Sequence, residues 1–210
     1  MIAIVDYGMG NLRSAQKGFE KAGHGAFITD DPGEIERADA VVLPGVGAFK
    51  DCYEGLVERG LVGPIREAAQ SGRPFLGICV GLQLLFERSE EGEGSEGLGI
   101  LSGSVVRFPD TRKTGLKVPH MGWNRIAPAE GGSCSLLRFA GPAPYVYFVH
   151  SYYARLADEA VILATAEYGV RFPAIVGHDN VFAVQFHPEK SQREGIAILR
   201  AFGNLVEECT

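Results

Sequence analysis

Residues 77–81 read Gly-Ile-Cys-Val-Gly. The segment follows the apolar run "PFLGI" (74–78) and precedes the helix-like "GLQLLFER". Gly-x-nucleophile-x-Gly is the pattern of a nucleophile elbow, here with Cys79 in place of the serine of hydrolases. In such a strand-to-helix turn a Cβ at either flank would crowd the chain, so glycine stands on both sides. The turn lifts the sulfur to the top of the sheet. It also leaves the Val80 N–H free at the helix start, aimed at a developing oxyanion. The positive end of the helix would favour a thiolate. A small buried cysteine at a tight junction fits the same five residues, so the elbow needs a base.

The chain has five histidines: His24, His120, His150, His178 and His187. His187 lies in "VQFHPEKS". Pro188 biases it toward extended backbone, and in extended chain residues two apart share a face. Glu189 can therefore lie beside the His187 ring. A carboxylate orienting an imidazole that takes a thiol proton is the logic of a catalytic triad. His-Pro-Glu alone also suits a solvated turn. His120, His150, His187 and Glu189 are all metal-ligand types, but they lack a recognised ligand spacing. No metal and no cofactor are expected.

Those residues must be positioned by the surrounding elements. The first half alternates strands and helices. "IAIV" (2–5), "GAFIT" (25–29), "AVVLPG" (40–45) and "PFLGI" (74–78) read as buried parallel strands. Leu12, Ala15, Phe19 and Ala22 keep helical spacing, with Gly23 as the stop. "FKDCYEGLVERGLVGPIREAAQSG" reads as helix in two pieces, interrupted at Gly63 and Pro64. After Ser89 comes a polar, Gly-rich loop. Next are Val-, Phe- and Tyr-rich runs that read as strands with antiparallel turns: "SVVRF", "YVYFVHSYYARL", "VILATAEYG", "PAIVGHDN" and "VFAVQFHPEK". "SQREGIAILRAFGNLVEE" closes the chain as an amphipathic helix. The expectation is one α/β domain over residues 1–210: a mostly parallel sheet flanked by helices, with added antiparallel strands from the second half. Ligands in such folds sit at the carboxyl ends of parallel strands, where Asp6–Asn11, Pro44–Gly47 and Cys79 all fall.

Bulk properties exclude some function classes. Hydrophobic residues make up 46% and charged residues 22% of the 210 residues, ordinary values for a soluble globular protein. A formal net charge of -6 argues against a broad nucleic-acid surface. The start, "MIAIVDYGMGN", has no basic leader and does not read as a signal peptide. No apolar run approaches the about 20 residues that cross a bilayer. A cytoplasmic protein is expected. The four cysteines, Cys52, Cys79, Cys134 and Cys209, have irregular spacings with no C-x-x-C, which fits neither a zinc site nor a disulfide framework.

Elbow, histidine and acid in the order Cys79, His187, Glu189 resemble the class I, triad-type glutamine amidotransferases. The resemblance implies that the cysteine attacks the side-chain amide of glutamine. A glutamyl thioester and ammonia form, and water then releases glutamate. Further stretches, "DYGMGNLRS", "LPGVGAF", "GICVGLQLLFERSEEG", "VPHMGWN", "YFVHSYY" and "QFHPEKSQ", fall in the order seen in the glutaminase subunits of imidazole glycerol phosphate synthases. The likeness runs from Met1 to the last helix.

This resemblance implies roles residue by residue. Val80 N–H and an N–H of the Gly45-Val46-Gly47 loop would form the oxyanion hole. Gln83, one helical turn beyond Cys79, and Glu91, with Glu90 as the neighbouring alternative, would hold glutamine. Ser151 and Tyr152 would line its α-carboxylate. Asn11, Met121, Gly122, Trp123, Asn124, Tyr147 and Lys190 match positions that dock on a (β/α)8-barrel cyclase subunit, forming a heterodimer with an ammonia channel. Trp123 also suits core packing, and Lys190 a solvated charge. Three other readings stand beside this one: the glutaminase of another pathway, a free-standing cysteine hydrolase of the same fold, and a binding module that kept the fold.

Overall fold

Four short apolar runs of the first half become parallel strands, and one strand of the second half joins them. In the computed structural model, residues 1–92, 94–109, 115–129 and 134–209 are described. Strands β1 (Ile2–Val5), β2 (Ala26–Thr29), β3 (Ala40–Gly45) and β4 (Phe75–Cys79) alternate with helices α1 (Leu12–Ala22), α2 (Pro32–Arg37), α3 (Phe49–Glu58) and α4 (Val62–Gln70). The short helix α5 (Val80–Leu84) follows β4 directly. β5 (Arg88–Ser89), β6 (Ser95–Glu96), β7 (Gly103–Arg107), β8 (His120–Arg125), β9 (Ala127–Pro128), β10 (Tyr145–His150) and β11 (Tyr152–Leu156) come next. β12 (Ile162–Glu167), β13 (Arg171–His178), β14 (Val181–Val184) and helix α6 (Gln192–Cys209) complete the chain.

The main sheet has eight strands in the order β2-β1-β3-β4-β14-β13-β12-β9. From β2 to β14 all neighbours are parallel, and from β14 to β9 all are antiparallel. Gly45 pairs with Cys79, and Ile78 with Val184. The ends of β3, β4 and β14 therefore lie side by side, so the chain leaving β14 toward His187 starts next to Cys79. β8 and β10 form a separate antiparallel ribbon, and β11, β7, β5 and β6 a third small sheet.

Helical faces follow the sequence spacing. Ala15, Gly18, Phe19 and Ala22 of α1 are buried, and Gly23 ends the helix at φ +100°. α6 buries Ile198, Leu199 and Phe202 against α1, with the Phe19 and Phe202 ring centroids 6.0 Å apart.

Four local expectations differ from what is observed. The break between α3 and α4 falls at Gly60, which takes φ +66°, and not at Gly63–Pro64. Pro64 sits in the first turn of α4, where a helix does not need its N–H. α2 was not anticipated. It is only six residues long, and Asp31 caps it by accepting from the Glu34 N–H at 2.9 Å. The helix expected from "GLQLLFER" stops at Leu84. Carbonyls of Leu84, Leu85, Phe86 and Glu87 instead accept from the backbone N–H groups of Leu98, Ile100, Leu101, Gly99 and Gly97, at 2.7 to 3.1 Å. Finally, "YVYFVHSYYARL" is two strands in different sheets, switching at Ser151.

Phe202→Ala removes the ring that joins α6 to α1 and should cost about 3–5 kcal/mol, the range for deleting a buried aromatic. Urea unfolding of the full chain checks this. A loss under about 1 kcal/mol would mean that this contact does not hold the two helices.

Candidate active site

Cys79 is the last residue of β4 and precedes the first residue of α5. Its backbone sits at φ +57°, ψ −109°. Such a conformation in a non-glycine residue costs about 1–3 kcal/mol and persists only where the surroundings enforce it. Three glycines do so. A Cβ on Gly77 would lie 2.8 Å from the Gly81 carbonyl oxygen, and one on Gly45 2.8 Å from the Gly81 nitrogen. A Cβ on Gly81 would fall on the Leu43 carbonyl oxygen. The ends of β3 and β4 and the start of α5 are thus packed backbone on backbone. The sulfur is held at the carboxyl edge of the sheet.

His187 follows β14 in the chain. His187 Nδ1 is 2.8 Å from Glu189 Oε1, and both side chains are almost fully buried. Its Nε2 has no hydrogen-bond partner among the described residues and lines the same cleft as Cys79. Burial opposes charging of this ring, but the sulfur of Cys79 and the Glu189 carboxylate outweigh it and raise the pKa to about 10. The loop that carries His187 is stitched to β10. Its N–H donates to the Tyr147 carbonyl at 2.9 Å, and the Ser191 hydroxyl donates to the His187 carbonyl at 2.6 Å. The same hydroxyl accepts from the Tyr147 N–H at 2.9 Å. Ser191 is fully buried, and sequence reasoning missed it.

The cleft measures about 610 Å³. Val46, Gly47 and Val80 form its wall beside the sulfur. Gly45 lies deeper, and Gly47 takes φ +97°. Two buried groups hold this loop: Tyr7 donates to the Pro44 carbonyl at 2.6 Å, and the Cys52 thiol to the Val46 carbonyl at 3.3 Å. Gln83, Glu91, Ser151 and Tyr152 also line it. Glu91 accepts from the Phe49 N–H at 2.7 Å at the start of α3, whereas Glu90 is turned out, 3.8 Å from Arg155. The geometry brings Glu91, not Glu90, to the cleft. Gln83 is nearly buried, and its Nε2 is committed to the Tyr152 carbonyl (3.0 Å) and to Gln185 Oε1 (3.1 Å). Gln185 is fully buried, and its Nε2 lies 4.0 Å from the sulfur. It too went unremarked in the sequence, although it stands two residues before His187.

Asn11 and Lys190 lie on the cleft's rim. Met121, Gly122, Trp123 and Asn124 are on β8, and Tyr147 is on β10, directly opposite Trp123. Met121 is 62% and Trp123 47% exposed, so Trp123 is not a core residue. Its ring meets that of Tyr147 edge-on at 6.1 Å. His120 and His150 spend ring nitrogens on each other, at 2.9 Å. Among the described residues no group of three or more His, Cys, Asp or Glu could hold a metal ion.

Two features refine the elbow argument. α5 has five residues, too few to supply the full dipole expected of a long helix, so His187 is the principal positive group facing the sulfur. The other cysteines do not line the cleft. Burial pushes the Cys52 thiol up to about 11 and raises that of Cys134, while Cys209 is exposed at the end of α6.

The sequence pattern of the family described as "Glutamine amidotransferase class-I" matches residues 3–204. The chain belongs to that family. Similar curated proteins bear the name "Imidazole glycerol phosphate synthase subunit HisH". That of Syntrophotalea carbinolica is 56% identical, over 98% of this chain and all of its own length. That of Geobacter sulfurreducens is 50% identical, over 97% and 98%. Among solved structures, a "glutamine amidotransferase" superposes with a TM-score of 0.75 at 21% identity, over 99% of this chain and 100% of the other. Thermotoga maritima PurLQS superposes at 0.74 and 18%, over 97% of each. At those identities the likeness is one of fold, and it agrees with the α/β architecture expected from the sequence. The likeness to imidazole glycerol phosphate synthase glutaminase subunits is upheld by the curated relatives.

Gly81→Ala drives a methyl group into the β3 backbone and should cost about 3 kcal/mol, the upper part of the overpacking range. Urea unfolding that shows no loss would contradict the close approach. His187 has a raised pKa in the folded state, so its contribution is complete below about 6.5 and is lost as pH rises through about 10. Wild-type stability should therefore fall between pH 7 and 9 more steeply than that of His187→Gln. Parallel curves for the two proteins would show that His187 is not held charged.

Proposed function

We propose that the chain hydrolyses glutamine through Cys79, His187 and Glu189 and passes the ammonia to a (β/α)8-barrel cyclase subunit in histidine biosynthesis. One observation carries the reading: a strained cysteine at a strand end and a carboxylate-held histidine share one cleft. The family match and the names of the relatives support the substrate and the pathway.

The geometry supports the following steps. The Cys79 sulfur attacks the side-chain amide carbon of glutamine, and the carbonyl oxygen becomes an oxyanion. Val80 N–H and an N–H of the Gly45–Gly47 loop receive it. His187, charged and held by Glu189, gives a proton to the leaving nitrogen, and ammonia departs. The neutral imidazole then takes a proton from water, which attacks the thioester and frees glutamate. Gln83, Glu91, Ser151 and Tyr152 hold the substrate's polar groups. The exposed face of β8, which carries Met121, Trp123 and Arg125 beside the cleft, is the surface for the cyclase subunit, with Asn11, Tyr147 and Lys190 at its margin. Tryptophan and arginine side by side are residue types enriched at interface hot spots.

Control follows from the loop after β3. If the oxyanion donor of that loop forms only in the complex, its absence alone slows the free chain by about 10²–10³-fold.

Cys79→Ala should abolish glutamine-dependent product formation by the complex and leave ammonia-dependent synthesis intact. Glu189→Gln should slow glutamine turnover by about 10²–10⁴-fold while leaving the base in place. Lys190→Ala should weaken stimulation by the cyclase subunit more than it changes the glutamine KM. Glutaminase rates for the free chain, the complex, and the complex with cyclase substrate check these outcomes. Equal rates in all three states favour the free-standing cysteine hydrolase instead.

A further inference from the structure

His150 lines the cleft and leads into a buried polar cluster that has no part in the proposed proton transfers. His120 and His150 are register partners across the β8–β10 ribbon, 3% and 6% exposed. His120 is stacked on Phe148 (centroids 4.8 Å, planes 27°) and on Tyr168 (4.0 Å, 24°). Phe108 and Phe172 close the edges of both rings. Polar rings in an aromatic box cost stability unless their nitrogens are matched.

Here they are matched in one direction only. Asn124 Oδ1 accepts from the Arg125 N–H at 2.8 Å. That turns Nδ2 toward the Glu167 carbonyl (2.9 Å) and His120 Nε2 (3.3 Å). His120 Nε2 is then an acceptor, and its proton is on Nδ1, which donates to His150 Nε2 at 2.9 Å. His150 in turn carries its proton on Nδ1 and donates to the Tyr152 carbonyl at 2.8 Å. A second proton on either ring would set N–H against N–H. Burial presses the two pKa values down to about 4 for His120 and about 3 for His150.

The chain of bonds continues into the active site. The Tyr152 carbonyl also accepts from Gln83, which donates to Gln185, whose own Nε2 approaches the Cys79 sulfur. We propose that the neutral His120–His150 pair is a positioning device for the reaction at Cys79. Through the Tyr152 carbonyl it fixes the Gln83 amide, and through Gln185 it fixes the sulfur. Its far end is anchored at Asn124, on the strand that presents Met121 and Trp123. A partner that displaces Asn124 therefore acts on the nucleophile through a directed series of hydrogen bonds. The inference rests on the proposed glutaminase reading for its substrate, but not for its geometry.

Two experiments test it. In the first, long-range proton–nitrogen spectra of the full chain with labelled histidine, at pH 7, should show both rings neutral with the proton on Nδ1. A proton on Nε2 of either ring, or a charged ring, overturns the proposal. The second compares His120→Leu with His120→Asn in the complex. The asparagine Nδ2 takes the place of the imidazole Nδ1 as donor to His150. His120→Leu should raise the glutamine KM about tenfold, the effect of one lost buried hydrogen bond, and should change the rate at which iodoacetamide labels Cys79. His120→Asn should recover most of both. Wild-type values for the leucine variant, or an asparagine variant as impaired as leucine, overturn the proposal. If the wild-type complex does not turn over glutamine, the substrate reading fails, while the tautomers and the alkylation rates still judge the positioning. If His120→Leu does not fold, the spectra of the wild-type chain decide.

Discussion

The close approach of three backbone segments at Gly45, Gly77 and Gly81 is the constraint on which the site depends. With a Cβ at any of these positions, β3, β4 and the start of α5 move apart. Cys79 then has no reason to keep a positive φ, and its sulfur drops from the edge of the sheet. The conformational cost at one residue is met by the packing of fully buried neighbours, among them Leu43, Leu76, Leu82 and Leu84. The loop after β3 depends on the same junction. It is the continuation of β3, and Tyr7 and Cys52 hold its carbonyls on either side of Gly45.

The second half of the chain supplies His187 and ties it to the surface. β14 inserts beside β4 in parallel, which delivers His187 to the sulfur without a long connection. Ser191 and the backbone of Tyr147 then fix the His187 loop to β10. β10 pairs with β8, whose outer face carries Met121 and Trp123. The exposed ribbon and the His187 loop thus share one hydrogen-bonded unit. In the proposed complex, a subunit on that ribbon would have a mechanical route to the imidazole, and a second route through the paired histidines to the sulfur.

Features governed by neighbours in sequence were legible. The parallel strands, the stop of α1 at Gly23, the bracketing glycines of Cys79 and the two-residue spacing of His187 and Glu189 are local patterns. The resemblance to glutaminase subunits added the candidates at Glu91, Ser151, Tyr152 and Lys190, which lie together at the cleft. Features governed by distant partners were not legible. α5 ends early because residues 97–101 capture its carbonyls, and nothing near Leu84 signals this. "YVYFVHSYYARL" divides because its two halves find different partner strands. Gln185, Ser191 and the His120–His150 pair acquire their roles only when β8, β10 and β14 are brought together. A histidine that looks like a free ligand in sequence proves to have its nitrogens committed.

In the proposed reaction the Cys79 sulfur forms a covalent bond to the glutamine side chain. Acid quenching of the complex during turnover, followed by peptide mass analysis, tests it most directly. A γ-glutamyl thioester is expected on the peptide that contains Cys79, with Cys52, Cys134 and Cys209 unmodified. Steady glutamine hydrolysis with no adduct on Cys79, or with the adduct on another cysteine, would contradict it.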